Sequence, residues 1–379
     1  MQFAMFYHSL ISDWNNGNAH FLRGITAELL KRGHQVDVYE PAGGWSMQNL
    51  IETQGQTPVR EFFSRFPMLQ SIACDYDALD FDAILYGADV AIVHEWNEPR
   101  FIDRIASHRR RRGGCKLLFH DTHHRCATQP RYTDKLELNR FDGVLAFGRS
   151  LAEVYLQNGW NDRVWTWHEA ADATVFQPDK ASFMQGDLVW VGNWGDEERT
   201  AEIAEYLVEP AGALGLATNV YGVRYPQTAI NLLGKSGLVY NGWLANYKVP
   251  EVFNSHRVTV HIPRKPYGKI LPGIPTIRPF EALACGIPLI MAPWEDTENL
   301  FTPGKDYLVA HSGHEMKTHL RSVINEPELA TRLAEHGRRT ILARHTCAHR
   351  VIELLEICRE MGIDTTIDNK LCREAANVL

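Results

Sequence analysis

The stretch RPFEALACGIPLI, Arg278 to Ile290, carries one glutamate near the start of a short run of small residues. Pro279 suits the first position of a helix, so the sequence predicts that Glu281 lies in the first turn, near the positive end of the helix dipole. Gly286 suits a left-handed cap at the end of that helix, before a short buried strand. Glu281 then either complements its own helix or accepts hydrogen bonds from the hydroxyls of a ligand whose phosphates share that helix end.

Basic residues near this helix in the sequence could bind such phosphates. In VGNWGDEER, Asn193 comes directly after a predicted strand and Arg199 lies in the first turn of the next predicted helix. Arg264 and Lys269 lie in a Pro/Gly-rich loop just before the Glu281 helix. A phosphate requires donors and positive charge, and arginine offers both in bidentate form. Each basic residue alone is better explained as a solvated surface charge, but together with Glu281 they predict a diphosphate site.

Two further features extend this predicted site. The loop Asp13–Asn18, which contains Gly17, follows the first strand and leads into a helix, where backbone N–H groups can face an anion. It lacks both G-x-G-x-x-G and the P-loop lysine, so a structural turn explains it equally well. Trp243 follows the predicted strand GLVYNG, where it could stack on a base or sugar or lie in the core. The predicted donor-binding residues are Gly17, Asn193, Arg199, Trp243, Arg264, Lys269 and Glu281.

A second group of polar residues follows the predicted strand CKLLF, in the stretch HDTHHRC at 120–126. It is interpreted as a metal site, as a catalytic or substrate-binding loop, or as an exposed polar loop. The His-x-x-His-His spacing matches no standard zinc pattern and no second ligand pair lies nearby in sequence, so we predict no metal. The favoured interpretation makes His120 and Asp121 the catalytic candidates. The acceptor-side candidates are Asn18, His123 and His94, which ends another predicted strand.

Length and composition limit the class of protein. The 379 residues exceed what one hydrophobic core usually covers, which predicts two domains. A formal net charge of −7 leaves no basic field for nucleic acid. The seven cysteines are scattered, odd in number and form no C-x-x-C pair, which favours a reducing compartment. The N-terminal residues do not resemble a signal peptide and no run approaches a membrane span, so we expect a cytoplasmic protein.

The run Arg109 to Arg112 follows a predicted helix. It could contact anionic lipid or an acidic acceptor, but a solvated helix end is the favoured interpretation.

Strand and helix patterns alternate along the chain. The first forty residues predict the strand QFAMFYH, the helix AHFLRGITAELLKRG and the strand QVDVYEP. Apolar runs that predict further strands follow: AILY, DVAIVH, CKLLFH and DGVLAF. Segments compatible with helix lie between several of them, which favours mainly parallel sheets covered on both faces.

The polar stretch FQPDKASFMQGD, residues 176–187, predicts a linker, after which the alternation restarts. We therefore predict an α/β protein of two doubly wound, Rossmann-like domains facing a cleft, with ligands beyond the carboxyl ends of the strands. The predicted limits are 1–178 for the first domain and 179–345 for the second. Residues 346–379 are predicted to form a C-terminal helix and tail that pack back on the first domain.

Four segments together resemble GT-B nucleotide-sugar glycosyltransferases. They are LLKRGHQVDVYEP, KLLFHD, WHEAADATVFQP and RPFEALACGIPLI, the last of which is similar to the donor-binding Glu-Ala-x-Ala-x-Gly-x-Pro helix of these enzymes. The resemblance is to the broad group of retaining enzymes that includes bacterial mannosyl- and glucosyltransferases. Within that group, the chain is most similar to the spore-maturation (CgeB-like) branch.

The resemblance implies transfer of a sugar from a nucleoside diphosphate donor, a UDP- or GDP-sugar, to an acceptor hydroxyl with retention of configuration. It implies that Glu281 binds the ribose hydroxyls, that Arg199 faces the diphosphate, and that His120 lies near the donor sugar. Gly17 matches the loop that approaches the phosphate. The resemblance also implies that the first domain binds the acceptor and the second binds the nucleotide sugar. No cofactor or metal is expected, and the acceptor could be a glycan, a lipid-linked group, a protein or a small molecule.

One position departs from the pattern of these enzymes. Many of them carry a second glutamate eight positions before the helix glutamate, where this chain has Gly273. A non-catalytic nucleotide-binding protein with the same fold and a nucleotide-sugar epimerase or phosphorylase therefore stay open as alternatives.

Overall fold

The computed structural model describes residues 1–112, 114–133, 136–179, 183–195 and 198–366. These residues form two compact units. Unit 1 comprises Met1–Ser12, Leu22–His168 and the chain from Ala348 onward, whereas unit 2 comprises Asp13–Phe21 and Glu169–Cys347.

Unit 1 contains a seven-stranded parallel sheet with the strand order β3-β2-β1-β4-β5-β6-β7. Phe6 at the end of β1 lies opposite Val93 in β4, and His94 lies opposite His120 in β5. The residues that follow β1, β4 and β5 therefore emerge side by side at the carboxyl edge of the sheet. The strands are β1 (Gln2–Phe6), β2 (Gln35–Pro41), β3 (Ser71–Cys74), β4 (Val90–His94), β5 (Lys116–Asp121), β6 (Gly143–Ala146) and β7 (Val164–Thr166).

Helices connect these strands and cover the sheet, which is why β4 and β6 are buried along their whole length. The helices are α1 (Asn18–Lys31), α2 (Trp45–Gln54), α3 (Thr57–Arg65), α4 (Phe81–Gly87), α5 (Pro99–Arg112), α6 (Arg125–Thr128), α7 (Pro130–Thr133) and α8 (Arg149–Gln157). Short 3-10 turns lie at Tyr76–Ala78 and Leu138–Arg140.

The predicted strand AILY is wrong, because these residues lie within helix α4. The Asp80 side chain accepts a hydrogen bond from the Ala83 backbone N–H at 3.1 Å and so caps the helix. Phe81 and Leu85, four residues apart, are the buried side chains of this helix. A four-residue apolar run cannot distinguish a strand from one face of a short helix.

Unit 2 contains a six-stranded parallel sheet with the order β10-β9-β8-β11-β12-β13. Its strands are β8 (Gly186–Val191), β9 (Thr218–Tyr221), β10 (Val239–Tyr240), β11 (His256–His261), β12 (Leu289–Met291) and β13 (Leu308–Val309). Its helices are α9 (Thr200–Ile203), a π-helical turn at Ala204–Val208, α10 (Glu209–Leu214), α11 (Gln227–Lys235), a 3-10 turn at Asn246–Lys248, α12 (Val249–Asn254), α13 (Lys265–Lys269), α14 (Ile277–Cys285), α15 (Gly313–Asn325) and α16 (Pro327–Arg344).

Alternate residues of the unit 2 strands enter different cores. Leu188 and Trp190 of β8 belong to one buried cluster, whereas Val189 and Val191 belong to another. This period of two places a core on each face of the sheet, as expected for a parallel sheet covered by helices.

The last helix, α17 (Cys347–Glu360), contributes to unit 1 from Ala348 onward. The indole Nε1 of Trp167 donates to the Arg350 carbonyl oxygen at 2.9 Å, and that of Trp165 donates to Glu360 Oε2 at 2.9 Å. Residues 180–182 of the predicted linker and 367–379 of the predicted tail lie outside the described residues. The limits 1–178, 179–345 and 346–379 stay a prediction.

Among the described residues, no helix is long and apolar enough to cross a membrane. In the arginine run, Arg109 pairs with Asp142 at 3.0 Å and donates to the Cys115 carbonyl oxygen at 2.6 Å. Arg110 to Arg112 are exposed. Contact of this run with a membrane stays a prediction.

Candidate functional site

A recess with about 500 Å³ of empty volume, partly open to solvent, lies in unit 2. Its walls follow the carboxyl ends of strands β8 and β9, the position at which parallel α/β sheets bind ligands. The lining residues are Asp13, Asn15, Asn16, Gly17, Val191, Gly192, Asn193, Gly222, Val223, Trp243, Leu244, Asn246, Val249 and Arg278. The recess therefore brings together three predicted donor-binding residues, Gly17, Asn193 and Trp243.

Hydrogen bonds of Asn193 hold two walls of the recess together. Its Oδ1 accepts from the Val223 backbone N–H at 2.9 Å, and its Nδ2 donates to Asn15 Oδ1 at 2.5 Å. Gly222 makes the close approach of the strand ends possible, because a Cβ there would lie 2.1 Å from the Gly192 carbonyl oxygen. Its φ of +153° is also in the region that favours glycine.

Helix α14, beside the recess, begins earlier than the sequence indicates. It starts at Ile277, after Thr276 with a φ of 55°, so Glu281 lies in the second turn and the predicted first-turn position is wrong. Pro279 is the third residue of the helix. Because the first four backbone N–H groups of a helix have no partner within it, the N–H that proline lacks is not needed there. The predicted cap is confirmed, because Gly286 is left-handed with φ 69° and ψ 28°.

The Glu281 carboxylate is fully buried and hydrogen-bonded on both oxygens. His20 Nδ1 lies 2.7 Å and Asn246 Nδ2 lies 2.8 Å from Oε1, and Arg278 forms a short ion pair with Oε2. The His20 Nε2 accepts from the Asp172 backbone N–H at 2.8 Å, so Nδ1 carries the proton that faces Glu281. The countercharge to the carboxylate therefore comes from Arg278.

This environment controls the protonation of Glu281. Burial alone would raise the pKa of the carboxyl, but Arg278, His20 and Asn246 outweigh burial and lower the pKa below its ordinary value. Glu281 is therefore an anion at neutral pH and holds the guanidinium of Arg278 at the edge of the recess.

Positive charge is concentrated near the recess. Arg199 precedes helix α9 as its N-cap residue, one position before the predicted first turn, and is almost fully buried. Its guanidinium donates to the carbonyl oxygens of Ile262 at 2.8 Å and Asn193 at 2.6 Å. Burial first, and then Arg264, lower the pKa of Arg199 to about 9. A bound anion would offset both effects.

The remaining predicted cations differ in their placement. Arg264 is half-buried as the N-cap residue of α13 and pairs with Glu198 at 3.1 Å. Lys269 is exposed at the end of the same helix and does not line the recess. Arg264 lies close enough to Arg199 to lower its pKa, but Arg199, Arg264 and Lys269 are not among the residues that line the recess. Their convergence on one diphosphate site stays a prediction.

Several residues of this region were not singled out from the sequence. The sequence could have predicted the role of Arg278, because it lies three positions before Glu281 on the same helix and residues at this spacing are neighbours on a helix surface. His20 and Asn246 gave no signal, because only folding brings them to Glu281 from 261 and 35 positions away.

Replacing the buried Glu281 by alanine should leave the half-buried Arg278 guanidinium without its countercharge and remove the hydrogen bonds to His20 and Asn246. We expect the free energy of unfolding to fall by about 3–5 kcal/mol, the usual effect of removing one partner of a buried ion pair. Urea denaturation monitored by tryptophan fluorescence measures this loss. The exposed Glu335→Ala variant of helix α16 is the matched control, and equal stability of the two variants would contradict the assigned role.

The other predicted residues lie at the carboxyl edge of the unit 1 sheet. His120 is fully buried, with its Nδ1 2.7 Å from the Tyr7 hydroxyl and its ring 4.9 Å from the Trp167 ring, centroid to centroid. Burial lowers the pKa of His120 to about 3, so its imidazole is neutral at physiological pH.

Asp121 holds the loop that follows β5. Its Oδ2 accepts from the Tyr155 hydroxyl at 2.7 Å, and its Oδ1 accepts from the His123 backbone N–H at 2.9 Å. Burial raises the pKa of the Asp121 carboxyl, and these hydrogen bonds oppose that rise. Both oxygens are therefore occupied by protein groups.

The three acceptor-side candidates are divided between the units. His94 and His123 belong to unit 1, whereas Asn18 belongs to unit 2 and donates to Glu169 Oε1 at 3.4 Å. His94 is buried beside His120, with ring centroids 5.3 Å apart. Within the described ranges, no group of three or more His, Cys, Asp or Glu side chains is arranged to hold a metal ion.

The buried neutral His120 should make unfolding sensitive to acid. A histidine with a lowered pKa stabilises the folded state above its unfolded pKa of about 6.5, and this contribution is lost as the pH falls. The free energy of unfolding of the wild type minus that of His120→Phe should therefore decrease below pH 6.5 by ~1.4 kcal/mol per pH unit. Urea denaturation of both proteins at several pH values provides the test, and parallel curves would contradict a neutral buried imidazole.

Comparisons with known proteins agree with this architecture. Residues 199–356 match the family model described as "Glycosyl transferase-like". A comparison with curated proteins found no match.

Solved structures with a similar fold cover nearly the whole chain. Sucrose-phosphate synthase from Thermosynechococcus elongatus is 14% identical, with a TM-score of 0.65 over 95% of this chain and 99% of that chain. HepE from Anabaena, in complex with UDP and glucose, is 11% identical, with a TM-score of 0.65 over 95% of this chain and 100% of that chain. The β-glucosyltransferase of T4 phage, in complex with UDP-glucose, is 13% identical, with a TM-score of 0.60 over 94% of this chain and 99% of that chain.

The chain therefore has the GT-B fold, with two parallel-sheet α/β domains, and the predicted fold class is confirmed. Assignment to the retaining group and to the CgeB-like branch stays a prediction.

Proposed function

We propose that this protein is a glycosyltransferase that moves a sugar from a nucleoside diphosphate donor to an acceptor hydroxyl with retention of configuration. The observation that carries the proposal is the unit 2 recess, which joins the loop before α1 to the ends of β8 and β9 beside Arg278. The GT-B fold and the match of residues 199–356 to glycosyl transferase-like proteins support it.

In this proposal the diphosphate lies against the positively charged side of the recess. Arg278 supplies charge from the wall, and the buried Arg199 and the half-buried Arg264 add to the local positive field. Such fixed charges stabilise the negative charge that develops on a departing nucleoside diphosphate. Trp243 lines the same recess and offers an aromatic surface for the base or the sugar.

We assign Glu281 a double part in donor binding. Its ion pair holds Arg278 toward the phosphates. Its Oε1 would accept a hydrogen bond from a ribose hydroxyl in place of the one that it accepts from the Asn246 side-chain amide. This exchange keeps the buried carboxylate hydrogen-bonded, as a buried charge requires.

The neighbours crystallised with UDP or UDP-glucose favour a UDP-sugar as the donor over a GDP-sugar. Neighbours described as α-glucosyltransferase and β-glucosyltransferase share the fold, so retention rests on the sequence resemblance alone. His120 remains the residue proposed to contact the donor sugar. Asp121 is proposed to position the loop that carries His123, because both of its oxygens are already bonded.

A non-catalytic nucleotide-binding protein is the second candidate, and Gly273 favours it. This residue has a φ of +86°, and a Cβ there would lie 2.1 Å from Thr297 Oγ1. The backbone at this position is therefore built for glycine, where many glycosyltransferases carry a sugar-binding glutamate.

UDP should stabilise the protein by binding to its folded state. A ligand at one hundred times its Kd adds about 2.7 kcal/mol to the free energy of unfolding. Arg264→Ala should weaken UDP binding about tenfold while leaving uridine binding unchanged, because one positive charge of the field around the diphosphate is lost. Isothermal titration calorimetry measures both affinities.

The matched control for Arg264 is Arg257→Ala, since Arg257 lies at the opposite, amino end of β11 and is exposed. If both variants weakened UDP binding equally, a diphosphate site beside Arg264 would be contradicted. Absence of any thermal response to UDP and GDP would overturn the proposed function.

Turnover separates the two candidate functions. Incubation with UDP-glucose, UDP-galactose or GDP-mannose and a mixture of glycoside acceptors should release the nucleoside diphosphate and form a glycosidic bond. NMR of the product should show the anomeric configuration of the donor. Nucleotide binding without turnover would support the second candidate, and an inverted anomer would contradict retention.

A further inference from the structure

Polar groups without protein partners collect at the carboxyl edge of the unit 1 sheet. His8 is 5% exposed, and within the part of the chain that the structure describes neither of its ring nitrogens has a hydrogen-bond partner. The same holds for Nδ1 of His94, which is fully buried, and for Oε1 of Glu95, which is 1% exposed. Four buried polar atoms on three neighbouring residues therefore lack partners among the described residues.

Burying these atoms destabilises the folded state unless a ligand or a water molecule forms hydrogen bonds with them. A buried donor or acceptor that exchanges water for no partner loses its solvation without compensation. Native proteins leave few of these groups, and each calls for a ligand, a bound water or a functional reason. The strand register places them together, since β1 and β4 are neighbours and the rings of His8 and His94 stack at 5.7 Å.

Aromatic side chains flank the unpartnered atoms. The His8 ring is nearly parallel to the Trp45 indole, with centroids 5.5 Å apart, and the Trp96 indole lies 5.9 Å from His8 and 6.1 Å from Trp45. Trp45 and Trp96 are both partly exposed, so the aromatic side of the cluster faces solvent. The buried polar atoms therefore lie beside indole rings that solvent reaches in part.

The charges of the cluster select a neutral ligand. Burial first, and then Arg125, lower the pKa of His8 to about 3, so this ring offers one neutral donor and one acceptor. Arg125 pairs with Glu95 Oε2 and stacks on the Trp96 ring at 4.2 Å, so its charge is already compensated. Because Arg125 and Glu95 compensate each other, the cluster offers no uncompensated charge to an anion or a cation.

We propose that His8, His94 and Glu95, together with Trp45 and Trp96, bind a pyranose ring, so that the acceptor of this protein is a saccharide. A pyranose presents hydroxyls at its edge, which can both donate and accept, and C–H groups on its faces, which pack on indole rings. His8 and Glu95 bond the hydroxyls in this arrangement, and the tryptophans cover a face. The description of the site as an acceptor site rests on the proposed function, whereas saccharide binding does not.

His8→Phe tests this assignment, because phenylalanine keeps the ring that stacks on Trp45 and removes both unpartnered nitrogens. Without ligand, the variant should be at least as stable as the wild type, since two buried atoms that lack partners are lost. Its affinity for a saccharide should fall about tenfold or more. The probes are methyl α-D-glucopyranoside, methyl α-D-mannopyranoside and methyl β-D-galactopyranoside at millimolar concentrations, with binding followed by tryptophan fluorescence and ligand-observed NMR.

His108→Phe is the matched control. His108 lies in the same unit, is bonded to Asp82 at 3.0 Å and stands outside the aromatic cluster, so its loss should leave saccharide binding unchanged. Trp96→Ala should also weaken saccharide binding. The affinity for UDP should stay at the wild-type value in all three variants.

Binding of none of the three glycosides to the wild type would overturn the proposal. Loss of stability in His8→Phe with unchanged saccharide affinity would also overturn it, because His8 would then bond ordered water as part of the structure. Saccharide binding that depends on His8 would support the proposal even if UDP did not bind, in which case only the proposed function would fail.

Discussion

The carboxylate of Glu281, buried beneath a charged recess, is the interaction on which the rest of unit 2 depends. An ionised group without water must be neutralised and hydrogen-bonded, and here Arg278, His20 and Asn246 meet that need together. These partners come from helix α1, from the segment after β10 and from helix α14 itself. One buried charge thus fixes the positions of three separate segments around the place where strands β8 and β9 end.

The same constraint leaves positive charge available to a ligand. Arg278 is held at the recess by Glu281, whereas the buried Arg199 donates to the carbonyl oxygens of Ile262 and Asn193 and has a pKa lowered to about 9. His261 lies close enough for both arginines to act on it, and burial followed by these charges lowers its pKa to about 3. The lowered pKa values of Arg199 and His261 result from burial and from positive neighbours, and perturbed groups of this kind cluster at functional sites. Unit 1 differs, because the carboxyl edge of its sheet carries neutral imidazoles, a compensated ion pair and partly exposed indoles.

Much of the fold could be predicted from local patterns. Apolar runs bounded by polar residues gave most strands, and Gly286 marked the end of α14 because a left-handed cap favours glycine. The prediction of a strand at AILY was wrong because Phe81, just outside the run, shares a helical face with Leu85. Asp80 also caps that helix. The predicted start of α14 was wrong because local propensities do not indicate the positive φ of Thr276, which directly precedes the helix.

The site was less predictable because its contacts are long-range. Gly17, Asn193 and Trp243 were found by their position after predicted strands, a rule that holds for any parallel sheet. The burial of Glu281 and the unpartnered nitrogens of His8 depend on which residues meet after folding, and single-sequence patterns do not contain that information. Lys269 was included for its charge alone, and its exposed position shows that charge near a motif in sequence does not establish convergence in space.

A crystal structure of the full chain with UDP tests the central claim most directly. We expect the diphosphate within hydrogen-bond distance of Arg278, with the uridine in the recess between Asn193 and Trp243. UDP bound elsewhere, or an empty recess at a UDP concentration that saturates binding in solution, would contradict it.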